Sequence, residues 1–404
     1  MTTFIAVFAA LMVFFMQAGF MMAESGFTRA KNASGIIEKT LMGLVLSALA
    51  YYFVGHSLMY AGGDSVFGLI RFGAEGAVPA AFAGIGTDAF GLLAMALCAM
   101  SVAMVSGAMA ERTKFFSYII YAFFVALAVY PVAGHWMWAD GGWLKEMGFH
   151  DLGGAAAVNL VGGWCALIGA AMVGPRIGKY RTDGSVNALP GHSLPLGALG
   201  VMIMWIAWLA LNAGMSIGTK ASMSGIMINT VLASSSSAIA AMLVTRLRYG
   251  KPDIPLTLNG VLAGLVAITA GADVVEPGSA ALIGLIAGVA FVFLSEFVER
   301  VLKVDDPLGA SSVHLGCGAL GTILTGFFAT NAALDEMAIT RAMLVGVQAL
   351  GVVAVSAFAG LAAFVILFVI KKTIGLRVEK QKEEMGLDIT EHGINAYADF
   401  ITKP

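Results

Sequence analysis

AMLVGVQALGVVAVSAFAGLAAFVILFVI, residues 342–370, carries no aspartate, glutamate, lysine or arginine. A helix needs about 20 predominantly apolar residues to cross the hydrocarbon layer of a bilayer, and this run exceeds that. The same texture recurs along the chain, as long apolar runs broken by short charged clusters. Of the 404 residues, 59% are hydrophobic and 12% charged, with a mean hydropathy of +0.87. Soluble domains carry roughly 25% charged residues. The sequence therefore predicts an all-α polytopic membrane protein. A formal net charge of −2 gives no basis for a nucleic-acid partner. The first apolar run starts near Thr3 without a basic leader and is followed by AESGFTR. It reads as a retained span rather than a cleaved signal.

Eleven spans are predicted, at about 3–25, 36–61, 87–110, 115–133, 151–174, 193–217, 222–244, 254–271, 279–300, 312–331 and 340–370. With this count, all lysines and arginines but Arg71, Lys145, Lys220 and Arg341 fall on one side. Basic residues concentrate in cytoplasmic loops. The asymmetry places the C-terminus in the cytoplasm and the N-terminus outside, and it supports the odd number of spans. Cys98, Cys165 and Cys317 each lie inside a span and propose neither a disulfide nor a metal site. No G-x-x-x-x-G-K-[ST] motif is present, which disfavours an ATP-driven pump. No cofactor, metal site or catalytic residue is expected.

An internal repeat organises these spans. DLGGAAAVNLVGG (151–163) aligns with DPLGASSVHLGCG (306–318), with identities at Asp151/Asp306, Gly154/Gly309, Ala155/Ala310, Val158/Val313, Leu160/Leu315 and Gly163/Gly318. Asn159 falls on His314. A weaker echo pairs Gln17-Ala18-Gly19 with Asn212-Ala213-Gly214. The aligned stretches open the fifth and tenth spans. An odd number of spans per copy makes the second copy inverted in the bilayer, and inverted repeats place a substrate site near the midplane. Eight residues of helix rise about 12 Å, so Asn159 and His314, approached from opposite rims, reach similar depth. Asp151 and Asp306 can each cap a helix by accepting backbone N–H bonds. Asn159 can also serve as interhelical glue. His314, an ionisable side chain inside a span, is a functional candidate.

At these positions the chain resembles the Amt/Mep/Rh ammonium transporter family, and its Amt branch in particular. The resemblance is carried by FFMQAGFMMAESGFTRAKN (14–32), VSGAMAERTKF (105–115), HDLGGAAAVNLVGG (150–163), LNAG (211–214), DDPLGASSVHLGCGALGTILTGFFA (305–329) and GLDITEHGINAY (386–397). It implies two inverted five-helix repeats plus a long eleventh helix, a homotrimer in the inner membrane, and one ammonium path per protomer. By resemblance, Trp138 matches an outer tryptophan that holds ammonium by cation–π attraction, Asp151 the acid supporting that recruitment site, and His314 one member of a pore histidine pair. Residues 372–404 resemble a regulatory tail with Gly386, Asp388, Glu391, His392, Gly393 and Tyr397 in place, and with Ile394 where an acid is common. The family implies that such a tail contacts neighbouring protomers and PII-type regulators. The ending AYADFITKP is compatible with truncation from a fused signalling domain, and equally with a natural end.

The departures from the family pattern bear on mechanism. Asn159 replaces the first pore histidine. Leu97 and Leu211 stand where two phenylalanines close the outer pore, with Leu93 at a neighbouring aromatic position. Met215 replaces a serine of the outer site, and Ser216 follows one position later. An imidazole gains and loses a proton near neutral pH, whereas an amide only donates and accepts hydrogen bonds. Three readings follow. The chain is an ammonium-binding sensor with little or no transport, signalling through its tail. Alternatively it is a transporter or channel moving ammonium or ammonia. The third reading is a channel for another small neutral molecule.

Overall fold

The computed structural model describes residues 1–73 and 78–397. Among the described residues ten helices are long and apolar enough to span a bilayer, and one shorter apolar helix, Ile254–Ile268, completes eleven. In chain order they are α1 (Thr2–Phe27), α2 (Ala30–Tyr60), α3 (Thr87–Ala108), α4 (Phe115–Glu146, turning after Trp138), α5 (Ala155–Val173), α6 (Leu194–Gly218), α7 (Met223–Tyr249), α8 (Ile254–Ile268), α9 (Pro277–Val301), α10 (Ser311–Phe328) and α11 (Arg341–Thr373). Two short helices follow in the tail, α12 (Lys380–Met385) and α13 (Leu387–His392). Among the described residues the only extended pairings are three isolated bridges. The apolar runs thus map onto helices one for one, with the fifth span beginning four residues later than hydropathy places it.

The delayed start of α5 has a local cause. Asp151 precedes the helix and Gly154 takes a left-handed φ of 92°, a conformation that glycine alone adopts without a Cβ penalty. The helix then opens on a π turn, Ala155–Leu160. The repeat reproduces all three features. Asp306 precedes α10, Gly309 has a φ of 70°, and Ser311–Gly316 is again a π turn. Such wide turns displace the register of the following side chains and recur at functional sites. Here each one carries the polar residue of its copy, Asn159 or His314.

Two reciprocal contacts express the two-fold relation between the halves. A Cβ on Gly163 would stand 2.3 Å from the Leu315 nitrogen, while one on Gly318 would stand 2.7 Å from the Ala155 carbonyl and 3.4 Å from the Leu160 nitrogen. Leu160 and Leu315 are equivalent in the alignment, so each half presses the same glycine against the same segment of the other. The weaker echo behaves likewise, with Gly19 against Met204 and Gly214 against Ala9. Water provides no hydrophobic drive between helices in lipid, so close approach of small residues supplies the packing instead. Facing outward, Phe4, Phe8, Leu11 and Phe15 of α1 and Val353, Leu361, Val365 and Val369 of α11 are exposed. This is the surface expected of helices that meet lipid or other apolar helices.

The crossing gives a direct test. Gly163→Val would drive a side chain into backbone at a point where neither helix can retreat. Overpacking costs roughly 1–3 kcal/mol, so thermal unfolding followed by size-exclusion chromatography in detergent should show a clear loss of folded protein. Gly346→Ala, with open space around its Cβ position, should leave the melting curve unchanged.

Candidate functional site

A cavity of about 160 Å³ opens at one end of the helix bundle. Its lining includes Trp138, Asp151, Leu93, Leu97 and Met215, together with Tyr60, Phe90, Lys145, His150 and Thr219. Trp138 is fixed by its indole N–H, which donates to the Asp151 carbonyl at 2.7 Å. The Asp151 carboxylate is committed to the backbone. One oxygen accepts from the Gly154 and Ala155 N–H groups and the other from those of Ala156 and Ala157, at 2.8–3.0 Å. It therefore neutralises the four orphan donors at the start of α5, and its influence on a cation in the cavity is through its field rather than by contact.

Leu93 and Leu97 form part of the cavity wall. Leu211 does not line it and is fully buried in the helix core. Ser216 does not line it either. Its hydroxyl turns back to donate to the Ala213 carbonyl at 2.6 Å, so the hydroxyl near the mouth is that of Thr219 instead.

Below the cavity, His314 Nδ1 lies 2.8 Å from Asn159 Oδ1. The orientation of the amide is dictated from its other end, where Nδ2 donates to the Gly154 carbonyl at 2.8 Å. A carbonyl only accepts, so Oδ1 must face the imidazole and Nδ1 must carry the proton. His314 Nε2 is then a bare lone pair, with no hydrogen bond to any described residue. It lines a small inner cavity of about 30 Å³ together with Phe20, Phe27 and Leu308. A wider vestibule of about 240 Å³ follows at the opposite end of the bundle. Asp306 lies on that vestibule. Its Oδ2 accepts from both the backbone N–H and the hydroxyl of Ser311, at 2.7 and 2.6 Å, and its buried Oδ1 has no partner.

The tail is fastened to the loops around this inner vestibule in the same chain. The Asp388 carboxylate accepts from the Ser34 and Gly35 N–H groups at 3.0 and 2.8 Å, capping α2 from a distance. Gly386, with a φ of 110°, lies against Lys31. Glu391 accepts from the Phe115 N–H at 3.2 Å. His392 meets Glu38 at 2.7 Å, Gly393 ends α13 in a left-handed turn, and the Tyr397 hydroxyl meets His192 at 2.6 Å. Ile394 is exposed. Residues 398–404 of AYADFITKP lie outside the described residues.

Beneath the tail runs a buried ionic cluster that sequence reading missed. Arg176 forms a fork to Asp305, at 2.8 and 3.0 Å, and also reaches Glu111 at 2.8 Å. Burial pushes the Asp305 carboxyl up, but the hydrogen bonds and charge of Arg176 outweigh it and hold the pKa at about 2. A depressed carboxylate stabilises the fold at pH values above its ordinary pKa and loses that effect only as pH falls toward the depressed one, so the clamp persists through the physiological range. Glu111 also accepts from Asn32 at 3.2 Å, and Asn32 in turn accepts from the Leu387 N–H at 2.9 Å. The cluster thereby joins the loop that carries Asp305 and Asp306 to the tail.

A chain of eleven membrane helices, with cavities at both ends and a buried polar pair between them, belongs to the class of membrane channels and transport proteins. The family follows from comparison. The Ammonium Transporter Family profile matches residues 3–397, and the chain belongs to that family. It is 36% identical to ammonium transporter Amt2 of Archaeoglobus fulgidus, covering 98% of this chain and 88% of that protein. It is 33% identical to ammonium transporter 3 of Dictyostelium discoideum, covering 96% and 92%. Among solved structures, one described as a Sensor Amt Protein superposes with a TM-score of 0.91 at 33% identity, covering 97% and 98% of the two chains. Saccharomyces cerevisiae Mep2 shares the fold, with a TM-score of 0.86 at 24% identity. This is a family of membrane transporters and channels rather than of enzymes.

Two cations sit unexpectedly at the mouth. Lys145 Nζ donates to the Trp138 carbonyl at 3.1 Å and to Asp140 at 2.6 Å. Its isolation among basic residues on that side of the chain was the available signal. His150 Nε2 meets Asp273 at 2.9 Å. Burial lowers the His150 pKa, but the Asp273 charge and hydrogen bond prevail and raise it above 6.5. A raised imidazole keeps its proton to higher pH, and a proton there repels a cation in the cavity. Ammonium affinity should therefore rise as pH climbs past 6.5 and through the raised His150 pKa. Calorimetric titrations across that range should show the rise, and His150→Gln should flatten it.

The tail contacts predict a second effect. Losing a helix cap costs about 1 kcal/mol. Asp388→Ala should leave the membrane domain intact while markedly accelerating limited proteolysis within residues 372–397.

Proposed function

We propose that this chain binds ammonium at the outer cavity and acts as an ammonium sensor or receptor with little or no transport, signalling through its cytoplasmic tail. The observation that carries this reading is the Asn159–His314 pair. In a relay, a proton arriving at one side chain must leave through the next. Asn159 accepts the imidazole proton on Oδ1 but has none to pass on at neutral pH, and its Nδ2 is occupied by the Gly154 carbonyl. A cation in the hydrocarbon core costs at least about 2.5–3.5 kcal/mol on insertion scales, so without a proton path the ion has reason to stop.

The roles of the mouth follow from this. Trp138 offers an indole face worth about 0.5–2 kcal/mol to a small cation, and Asp151 supplies a negative field. Leu93, Leu97 and Met215 exclude water, and Leu211 packs behind them. The membrane domain (1–371) lies in the inner membrane with the N-terminus outside. The tail (372–404) lies in the cytoplasm, within a homotrimer, and passes the signal to a fused or associated signalling domain or to a PII-type regulator. Its docking onto α2 and onto the Glu111–Arg176–Asp305 cluster supports such a route. The 33% identity to a Sensor Amt Protein supports it as well. The opposing reading, transport of ammonium or ammonia, draws support from the relatives named as ammonium transporters.

Current measured on solid-supported proteoliposomes after an ammonium step separates the two. The unmutated protein should give at most a transient binding current while calorimetry records ammonium binding. Asn159→His, by restoring a second imidazole, should bring a sustained current. A sustained, concentration-dependent current from the unmutated protein would establish transport and sink the sensor reading.

A further inference from the structure

His56 is an ionisable side chain inside α2 that lies off the pore. It is only 1% exposed, and neither ring nitrogen has a hydrogen-bond partner among the described residues. Buried polar side chains are almost always hydrogen-bonded, so an orphan of this kind calls for a partner. Inside a membrane span such a residue is a functional candidate. The ring stands edge-on to Tyr51, with centroids 5.7 Å apart, and packs against Tyr60 at 5.4 Å and Phe90 at 6.1 Å. Tyr60 and Phe90 are walls of the mouth cavity, but His56 does not line it. His56 lines a separate cavity of about 410 Å³, cut between α2 and α3.

The wall of this lateral cavity is graded. Tyr60 at the end of α2 packs on Phe90 near the start of α3, at 5.0 Å, so the two helices run in opposite directions from the mouth. The upper wall carries His56, Thr87 and Asp88. Met95 lies seven residues beyond Asp88 on α3, about 10 Å deeper, and Leu92, Tyr51 and Tyr52 complete the lower wall. Asp88 is the only formally charged side chain among the described residues that line it. Tyr52, Thr87 and Asp88 are exposed, so the cavity opens to the outside of the bundle. These features select an occupant. The Asp88 carboxylate draws a cation, and a neutral imidazole offers a lone pair to an N–H donor. Tyrosine rings suit a cation as well, and the Tyr51 hydroxyl is already spent on the Met59 sulfur at 3.2 Å. The volume far exceeds the roughly 10–15 Å³ that one water needs, which leaves room for an alkyl chain beside Leu92 and Met95.

We propose that the lateral cavity between α2 and α3 binds an amphipathic primary amine, with its ammonium group on Asp88 and His56 and its apolar chain against Leu92 and Met95. A primary ammonium has N–H donors for both the carboxylate and the imidazole. A free alkylamine and the ethanolamine head of a membrane lipid both carry this chemistry. The occupant reaches the mouth through a single ring, because His56 also packs against Tyr60 and Phe90. The site stands apart from the mouth and does not depend on ammonium binding there.

Two measurements on the detergent-solubilised full chain test it. One is calorimetric titration with hexylammonium chloride. The other is native mass spectrometry with phosphatidylethanolamine and phosphatidylcholine of the same acyl chains, since the choline head has no N–H to donate. Hexylammonium should bind the unmutated protein. His56→Phe keeps an aromatic ring and removes both nitrogens, and it should weaken binding by about tenfold, the scale of one hydrogen bond to a charged group. Asp88→Asn, at an exposed position where folding is not at stake, should weaken it by at least as much. A preference for the ethanolamine lipid that both variants abolish identifies the lipid as occupant. Hexylammonium binding that the variants weaken, without any lipid preference, identifies a free amine. Absence of both signals, or signals that survive Asp88→Asn, would overturn the lateral site. Ammonium affinity at the mouth should change by less than about twofold in Asp88→Asn, so the two sites are judged separately.

Discussion

The hydrogen bond from His314 Nδ1 to Asn159 Oδ1 ties the two halves of the molecule together at their polar centre. Its direction is set by a backbone carbonyl. Gly154, left-handed so that α5 can open on a π turn, aims its oxygen at the Asn159 amide nitrogen and so fixes which end of the amide faces the imidazole. Two backbone features of one glycine therefore decide the tautomer of a histidine in the other half of the chain. A pore with two imidazoles has no such fixed direction, because either ring can donate. The bond in this chain is one-way, and its open nitrogen faces the inner cavity.

Much of the architecture is legible in the residues alone, because a bilayer imposes one strong pattern. A span such as 342–370 can hardly be anything else, and the lysine and arginine asymmetry predicts how the spans alternate. The repeat is legible for a different reason. Asp151, Gly154 and Gly163 each meet a requirement that few residues can meet (a four-donor cap, a positive φ, a backbone crossing), and the second copy meets the last two at Gly309 and Gly318, while Asp306 caps a single backbone N–H, that of Ser311. Asn159 and His314 are found by this alignment as much as by their polarity.

Side-chain direction was less accessible. Ser216 and Leu211 sit at suggestive positions in sequence, yet one turns its hydroxyl onto its own helix and the other points into the core. A shift of a single residue rotates a side chain about 100° around a helix, so proximity in sequence does not locate the wall of a cavity. Lys145 and His150 reach the mouth because the chain turns back after Trp138, and no periodic pattern announces such a turn. Glu24 sits within MMAESGF, where the eye takes the charge for the end of a span. The structure instead keeps it inside α1. Arg176, Asp305 and Glu111 come from three separate loops, and their convergence needs the fold.

The cap that Asp388 places on α2 spans 354 residues of chain. During synthesis domains form progressively from the N-terminus, so α2 enters the membrane long before its capping carboxylate exists. The amide groups of Ser34 and Gly35, in the first turn of the α-helical part of α2 (Ala33–Ala50), must meanwhile rely on water or on another partner. The tail thus fastens one of the first segments made to one made much later. A nascent chain halted before residue 388 carries every span and still lacks this fastening. The junction therefore distinguishes chains extended past residue 388 from shorter ones, which is a property that quality control at the membrane can act upon.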